Sequence, residues 1–193
     1  IPVTVIETNA EALARGLGRV ESNWRRSVKS GRMTEADVSQ RLGLIRGTTD
    51  LADIRDADVV IEAVFEDMEV KQGVFRELDR LAKPGAVLAT NTSYLDVDAM
   101  AGVTSRPGDV LGMHFFSPAN VMRLLEIVRG KETSAAALAT AVAIGRRIAK
   151  VPVVVGNCFG FVGNRMSFQR GRQGELMLQD GALPWEVAKV MTG

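Results

Sequence analysis

The single histidine of the chain, His114, lies inside an apolar run made by Val110, Leu111, Met113, Phe115 and Phe116. Twelve residues later, Glu126 lies inside a second apolar run of Leu124, Leu125, Ile127 and Val128. Both runs read as buried strands, and Pro118 and Asn120 between them are turn formers. Folded back about Asn120, the two strands bring positions 114 and 126 opposite each other. Directly opposed residues of an antiparallel pair hold their Cβ atoms roughly 5 Å apart. An ionised carboxylate in an apolar strand is costly unless it is paired, and an imidazole is such a partner. The carboxylate would orient the ring and stabilise its charged form. A lone histidine in a strand is ordinarily a satisfied core residue. The buried Glu126 at hairpin spacing argues against that reading here.

Other chemistry-bearing residues gather at the carboxyl ends of apparent strands, where open α/β sheets bind ligands. The first strand, Val3 to Glu7, ends in an acid of the kind that holds an adenosine ribose through its hydroxyls and repels a 2′-phosphate, so Glu7 favours NAD over NADP. Glu62-Ala-Val-Phe-Glu66 ends another strand, with Lys71 one turn into the next helix. Asn91-Thr92-Ser93 sets three hydrogen-bonding side chains in a row, and Asn164-Arg165 lies early in a later helix. A Gly-x-Gly-x-x-Gly turn, the usual pyrophosphate cradle, is missing. Gly16-Leu-Gly18 falls mid-helix and lacks the third glycine, while Gly156, Gly160 and Gly163 have the wrong spacing and suit a turn between domains.

The elements that must position these groups alternate. Thr8-x-x-Glu11 has the spacing of a capping box, followed by a helix with Leu13, Leu17, Val20, Trp24 and Val28 on one face and Gly31 at its end. A helical piece from Thr34 with Val38 and Leu42 inward precedes a weak strand from Leu44 to Thr48. Asp58 to Val64 is a strand with too few polar residues to be buried on one face only. Met68 to Ala82 is helical with Val70, Val74, Leu78 and Leu81 on one face, stopped by Pro84-Gly85. Ala86 to Ser93 is a strand with a polar end, and a short helix follows near 96–101. Thr133 to Lys150 is a helix with Leu138, Val142, Gly145 and Ile148 inward, and Val151 to Val155 is the last strand. Phe159 to Met191 reads as helix throughout. This alternation is that of an α/β fold with a parallel sheet, and the change to all helix marks a boundary between residues 1–156 and 157–193.

Composition narrows the class further. The chain has 193 residues, a formal net charge of +1 and 46% hydrophobic residues. That near-neutral balance lacks the basic excess usual in a nucleic-acid binder. One histidine and one cysteine, Cys158, argue against a metal site and exclude an intramolecular disulfide. No apolar run approaches the ~20 residues of a membrane span, and no signal peptide is visible. The chain opens on Ile1-Pro2 and closes after a helical pattern, which reads as a piece of a longer protein.

Taken together, Leu111-Gly-Met-His-Phe-Phe-Ser-Pro-Ala-Asn-Val-Met122, Leu125-Glu126, Asn91-Thr-Ser93 and Gly160-Phe-Val-Gly-Asn-Arg165 resemble the 3-hydroxyacyl-CoA dehydrogenases, most of all the dehydrogenase part of bifunctional enoyl-CoA hydratase/3-hydroxyacyl-CoA dehydrogenases of fatty-acid β-oxidation. The resemblance runs along the whole chain. It implies NAD as cofactor, an acyl-CoA substrate, and a homodimer or a fused hydratase domain in the parent protein. It also implies a cytoplasmic setting in a bacterium or a peroxisomal one in a eukaryote. By the same resemblance His114 is the catalytic base, Glu126 its partner, and Ser93 and Asn164 hold the substrate's 3-oxygen and thioester region. Glu7 is the ribose acid, Glu66 and Lys71 line the nicotinamide end, and Asn91 and Ser93 also bind the cofactor. Ser117 stands where stand-alone members often carry Asn. The implied fold is a Rossmann-like, mostly parallel sheet without its first strand and glycine-rich loop, followed by the start of an all-helical C-terminal domain. Two other classes fit less of the pattern: a Rossmann dehydrogenase of another hydroxy acid, and an inactive structural or binding relative.

Overall fold

The computed structural model describes residues 1–192, which divide into two compact units. The first comprises residues 1–57 with 81–83. In it β1 (Val3–Ile6) lies parallel to β2 (Ile45–Thr48), with Val3 opposite Ile45 and Ile6 opposite Thr48. The helices α1 (Ala10–Lys29) and α2 (Glu35–Leu42) connect them. Leu13, Leu17, Val20, Trp24 and Val28 form the half-buried face of α1, as their spacing predicts. Leu13 and Leu17 come so close to β2 that a Cβ on Gly47 would sit 2.9 Å from Leu17 Cδ1.

The cap of α1 differs from expectation. Asn9, not Thr8, takes the capping position, and its side-chain oxygen accepts from Ala12 N at 2.8 Å. Asn is at least as good a cap as Thr, and its extended backbone (φ −154°) sets the helix start one residue later. A capping box does form in α2, between Thr34 and Asp37.

The second unit comprises residues 58–80 and the chain from 84 onward. Its five strands, β3 (Val59–Glu62), β4 (Val87–Thr90), β5 (Val110–Phe115), β6 (Leu124–Arg129) and β7 (Val151–Gly156), stand side by side in sequence order. Every neighbouring pair is parallel except β5–β6, which is an antiparallel hairpin. Its helices are α3 (Met68–Leu81), α4 (Val97–Ala101), α5 (Ala135–Arg147), α6 (Gly163–Gln179) and α7 (Pro184–Thr192). The core joins Val87 and Ala89 of β4, Leu111 and Met113 of β5, and Leu125 and Ile127 of β6 to Ala137 and Ala141 of α5. Central strands buried on both faces explain these nearly continuous apolar runs.

Four expectations need correction. β3 is not buried on both faces: it is an edge strand paired only with β4, and Ile61 is 42% exposed. The inward face of α3 carries Lys71, Phe75 and Leu78, and Val70 points outward at 46% exposure. Ile148 caps α5 and is exposed, because the helix ends one residue before it. The segment 159–191 is two helices, broken where Gly181 takes φ +100° ahead of Pro184. At the other edge, β7 accommodates Pro152, as an edge strand can.

Candidate active site

The β5–β6 register sets His114 opposite Glu126, and His114 Nδ1 lies 2.8 Å from Glu126 Oε2. Both residues are buried. An ionised carboxylate only accepts, so the Nδ1–H donates and the proton assignment follows from the bond. Nε2 is then the lone-pair nitrogen, and no hydrogen bond holds it among the described residues. Phe116 and Phe161 flank the imidazole, with ring centroids 4.4 and 5.8 Å away.

The second oxygen of Glu126 is held from a different element. Oε1 accepts from Val162 N at 3.1 Å and Gly163 N at 2.8 Å, where α6 begins. The free amides and positive dipole end of a helix N-terminus suit an anion, which answers how a buried carboxylate is tolerated. The chain reverses to present those amides through Gly160 (φ +71°) and Phe161 (φ +48°). At Gly163 a side chain has no room, since a Cβ would sit 2.7 Å from Phe116 Cζ and 3.7 Å from Glu126 Oε1.

A polar belt runs across the ends of β3 and β4. Glu62 Oε1 accepts from Lys71 Nζ at 2.8 Å and from Val64 N at 2.6 Å, and Glu62 Oε2 accepts from Thr90 Oγ1 at 2.8 Å. Lys71, itself buried, also reaches Glu66 Oε2 at 3.2 Å. Glu66 Oε1 accepts from Thr92 Oγ1 at 2.6 Å and from Ser93 N at 2.7 Å. Burial alone would raise the Glu66 carboxyl, but the bonds from Thr92 and Ser93 and the charge of Lys71 together outweigh it and hold the group below its ordinary value. Ser93 O in turn accepts from Asn164 Nδ2 at 3.3 Å.

The structure thus brings Ser93 and Asn164 into contact and sets Asn164 directly after the amide that holds Glu126. Asn91 Oδ1 accepts from Phe115 N at 2.9 Å, fixing the backbone next to His114 and leaving its amide nitrogen over. Lys71 is buried and paired with the carboxylates of Glu62 and Glu66. Arg165 Nη1 points at Cys158 Sγ, 3.7 Å away, and Ser117 is exposed. In the first unit, Glu7 follows β1, half-buried, with only a long 3.4 Å bond from Thr8 N on its carboxylate. Sequence reasoning missed the Val162 and Gly163 amides and the coupling of Glu62 to Lys71. The amides left no signal, since every residue but proline carries one. No sequence signal marks the coupling, since lysines usually face water.

Residues 1–158 match the family described as 3-hydroxyacyl-CoA dehydrogenase, NAD binding domain, and the chain belongs to that family. A peroxisomal bifunctional enzyme of Danio rerio is 47% identical over 191 residues, 99% of this chain and 26% of its own length. A peroxisomal fatty acid beta-oxidation multifunctional protein of Arabidopsis thaliana is 40% identical over 192 residues, 100% of this chain and 27% of its own length. Among solved structures, (S)-3-hydroxybutyryl-CoA dehydrogenase from Ralstonia eutropha superposes with a TM-score of 0.94 at 34% identity, covering 96% of this chain and 66% of that one. The chain spans about a quarter of the length of the two curated relatives. No helix among the described residues is long and apolar enough to cross a membrane.

The residues present fit NAD, the cofactor of this domain family, in their donor and acceptor chemistry. Asn91 Nδ2 and Ser93 Oγ are polar groups with no protein partner among the described residues. No Gly-x-Gly-x-x-Gly turn joins a strand to a helix in this chain, and Gly16 and Gly18 lie within α1.

Proposed function

We propose that the protein carrying this chain oxidises (3S)-3-hydroxyacyl-CoA to 3-oxoacyl-CoA in fatty-acid β-oxidation. The observation that carries the reading is the buried His114–Glu126 pair, with Nδ1 committed to the carboxylate and Nε2 free. Nε2 takes the proton of the substrate's 3-hydroxyl as a general base. Glu126 stabilises the imidazolium while the two amides opening α6 hold its other oxygen still. Ser93 and Asn164, already in contact, hold the 3-oxygen and the thioester region. NAD, when bound, supplies a nicotinamide that accepts hydride from C3. Glu7 holds its ribose, and Glu66, Asn91 and Ser93, with Lys71 behind Glu66, line its nicotinamide end.

Residues 1–156 form the NAD-binding part and 157–193 open the helical part, a division supported by the family match ending at residue 158. The intact protein pairs as a homodimer or carries a fused hydratase domain, for which the bifunctional and multifunctional names of the relatives speak. Their peroxisomal names favour the same setting here. The test is NADH formation by the intact protein with a (3S)-3-hydroxyacyl-CoA against the matching free hydroxy acid. Turnover should require the CoA ester and fall about 10²–10⁴-fold in His114→Gln. Equal turnover of the free acid would sink the reading.

A further inference from the structure

We infer that Glu62, a buried acid to which no role has been given, is a positioning residue that sets Ser93 through Lys71 and Glu66. Glu62 cannot be a ligand group. Its side chain is 1% exposed and both oxygens are occupied, Oε1 by Lys71 Nζ and Val64 N, Oε2 by Thr90 Oγ1. An ammonium has three protons. Lys71 Nζ donates to Glu62 Oε1 (2.8 Å) and Val64 O (3.4 Å) and forms an ion pair with Glu66 Oε2 (3.2 Å). Glu62 therefore fixes where the lysine's charge stands, and that charge fixes one oxygen of Glu66. The other oxygen of Glu66 holds Thr92 Oγ1 and Ser93 N. Thr92 Oγ1 accepts in turn from Leu95 N at 2.9 Å, and Thr90 Oγ1 from Thr92 N at 3.2 Å. Side chains of this one cluster thus hold the backbone amides of Thr92, Ser93 and Leu95.

A stability role alone does not account for the cluster. Burying an ion pair seldom stabilises a fold more than apolar groups of the same shape would. What the charges add is directional: they join the end of β3, α3 and the loop after β4 at the point where Ser93 O meets Asn164 Nδ2. Without the carboxylate at 62, the ammonium is left with Glu66 as its only counter-charge and draws it away from Ser93.

The kinetic part of the test rests on the dehydrogenase reading, and the structural part does not. In Glu62→Gln of the intact protein, hydrogen exchange of the peptide 91–95 is followed by mass spectrometry, with the β5 peptide 110–115 as control. Exchange in 91–95 should quicken by about 10-fold or more, the size of one lost hydrogen bond to a charged group, while 110–115 keeps its protection. Turnover should fall about 10- to 100-fold, as for a misplaced substrate-holding group. Glu62→Met with Lys71→Met keeps the volume without the charges, and should melt no lower than Glu62→Gln yet free 91–95 in the same way. Unchanged exchange at 91–95 in both variants overturns the proposal. So does loss of protection throughout both proteins, which would make the pair merely structural. If the unmodified protein does not oxidise the acyl-CoA, the functional reading fails and the exchange measurement still decides this one.

Discussion

At the scale of single residues, the chemistry depends on which nitrogen of His114 carries the proton. Glu126→Gln tests this. The amides of Val162 and Gly163 can still donate to the amide oxygen, so the side-chain NH₂ turns toward His114 Nδ1. Nδ1 must then accept, Nε2 holds the hydrogen, and the base is disabled within an intact fold. Turnover should fall on the order of 10⁴-fold, as when the equivalent carboxylate of a serine-protease triad is amidated, with little change in melting temperature. A loss below tenfold would count against the tautomer. Glu66 gives a second prediction. Its folded value is held below the ordinary 4.5, so it contributes stability that is complete above that pH and disappears as pH falls below 4.5 toward the lower folded value. Replacing Glu66 by Gln should flatten the acid limb of a stability–pH curve in that window, and an unaltered limb would refute the assignment. The dyad was legible because a histidine and an acid are rare in apolar strands and their spacing fits a hairpin. The burial of Lys71 was not, because a lysine with a four-carbon stem defaults to solvent until three acceptors are found around it.

At the scale of elements, the hairpin is the rigid part. Gly112, two residues before His114, lies opposite Val128, and a Cβ there would stand 2.7 Å from Val128 Cβ. That atom is bonded to the backbone and cannot swing aside, so Gly112→Ala should force β5 from β6 and cost about 1–3 kcal/mol. For a chain of this size that is a fall in melting temperature of roughly 2–4 °C per kcal/mol, and a melt unmoved by the change would show that the strands yield freely. Most elements could be read from period and punctuation, among them α1, β4, both strands of the hairpin, and α5. The facing of α3 could not. Val70, Val74, Leu78 and Leu81 make one stripe, and Lys71, Phe75 and Leu78 make another one residue around. Only the carboxylates awaiting the lysine decide between them. The end of the long helical stretch was misread for a similar reason: glycines at 171 and 174 are absorbed within α6, whereas Gly181 is the one that breaks it.

At the scale of the molecule, two separate sheets stand where an alternating sequence suggests one. Among the described residues β1 pairs only with β2, and β3 stands at the edge of the larger sheet. The lack of a Gly-x-Gly-x-x-Gly turn was legible, because it is a pattern that a reader can search for and fail to find, whereas β3 reads as a strand buried on both faces and stands at the sheet's edge. The sharing of Glu126 between strand and helix could not be foreseen, since backbone amides leave no mark in a list of side chains. It has a practical result. The obvious place to trim this chain is after the last strand, and a protein engineer wanting a minimal cofactor-binding scaffold would stop at residue 156. That cut strips one oxygen of a buried carboxylate of both its donors and uncovers the face of the imidazole that Phe161 shields. Residues 1–156 should therefore unfold at a lower temperature than residues 1–193, by an amount matching at least about 1–3 kcal/mol for the orphaned acceptor. An equal melt would show that water replaces the amides at no cost. The proton-transfer pair is not portable: to transplant it onto another sheet, one must carry along the first turn of the helix that follows.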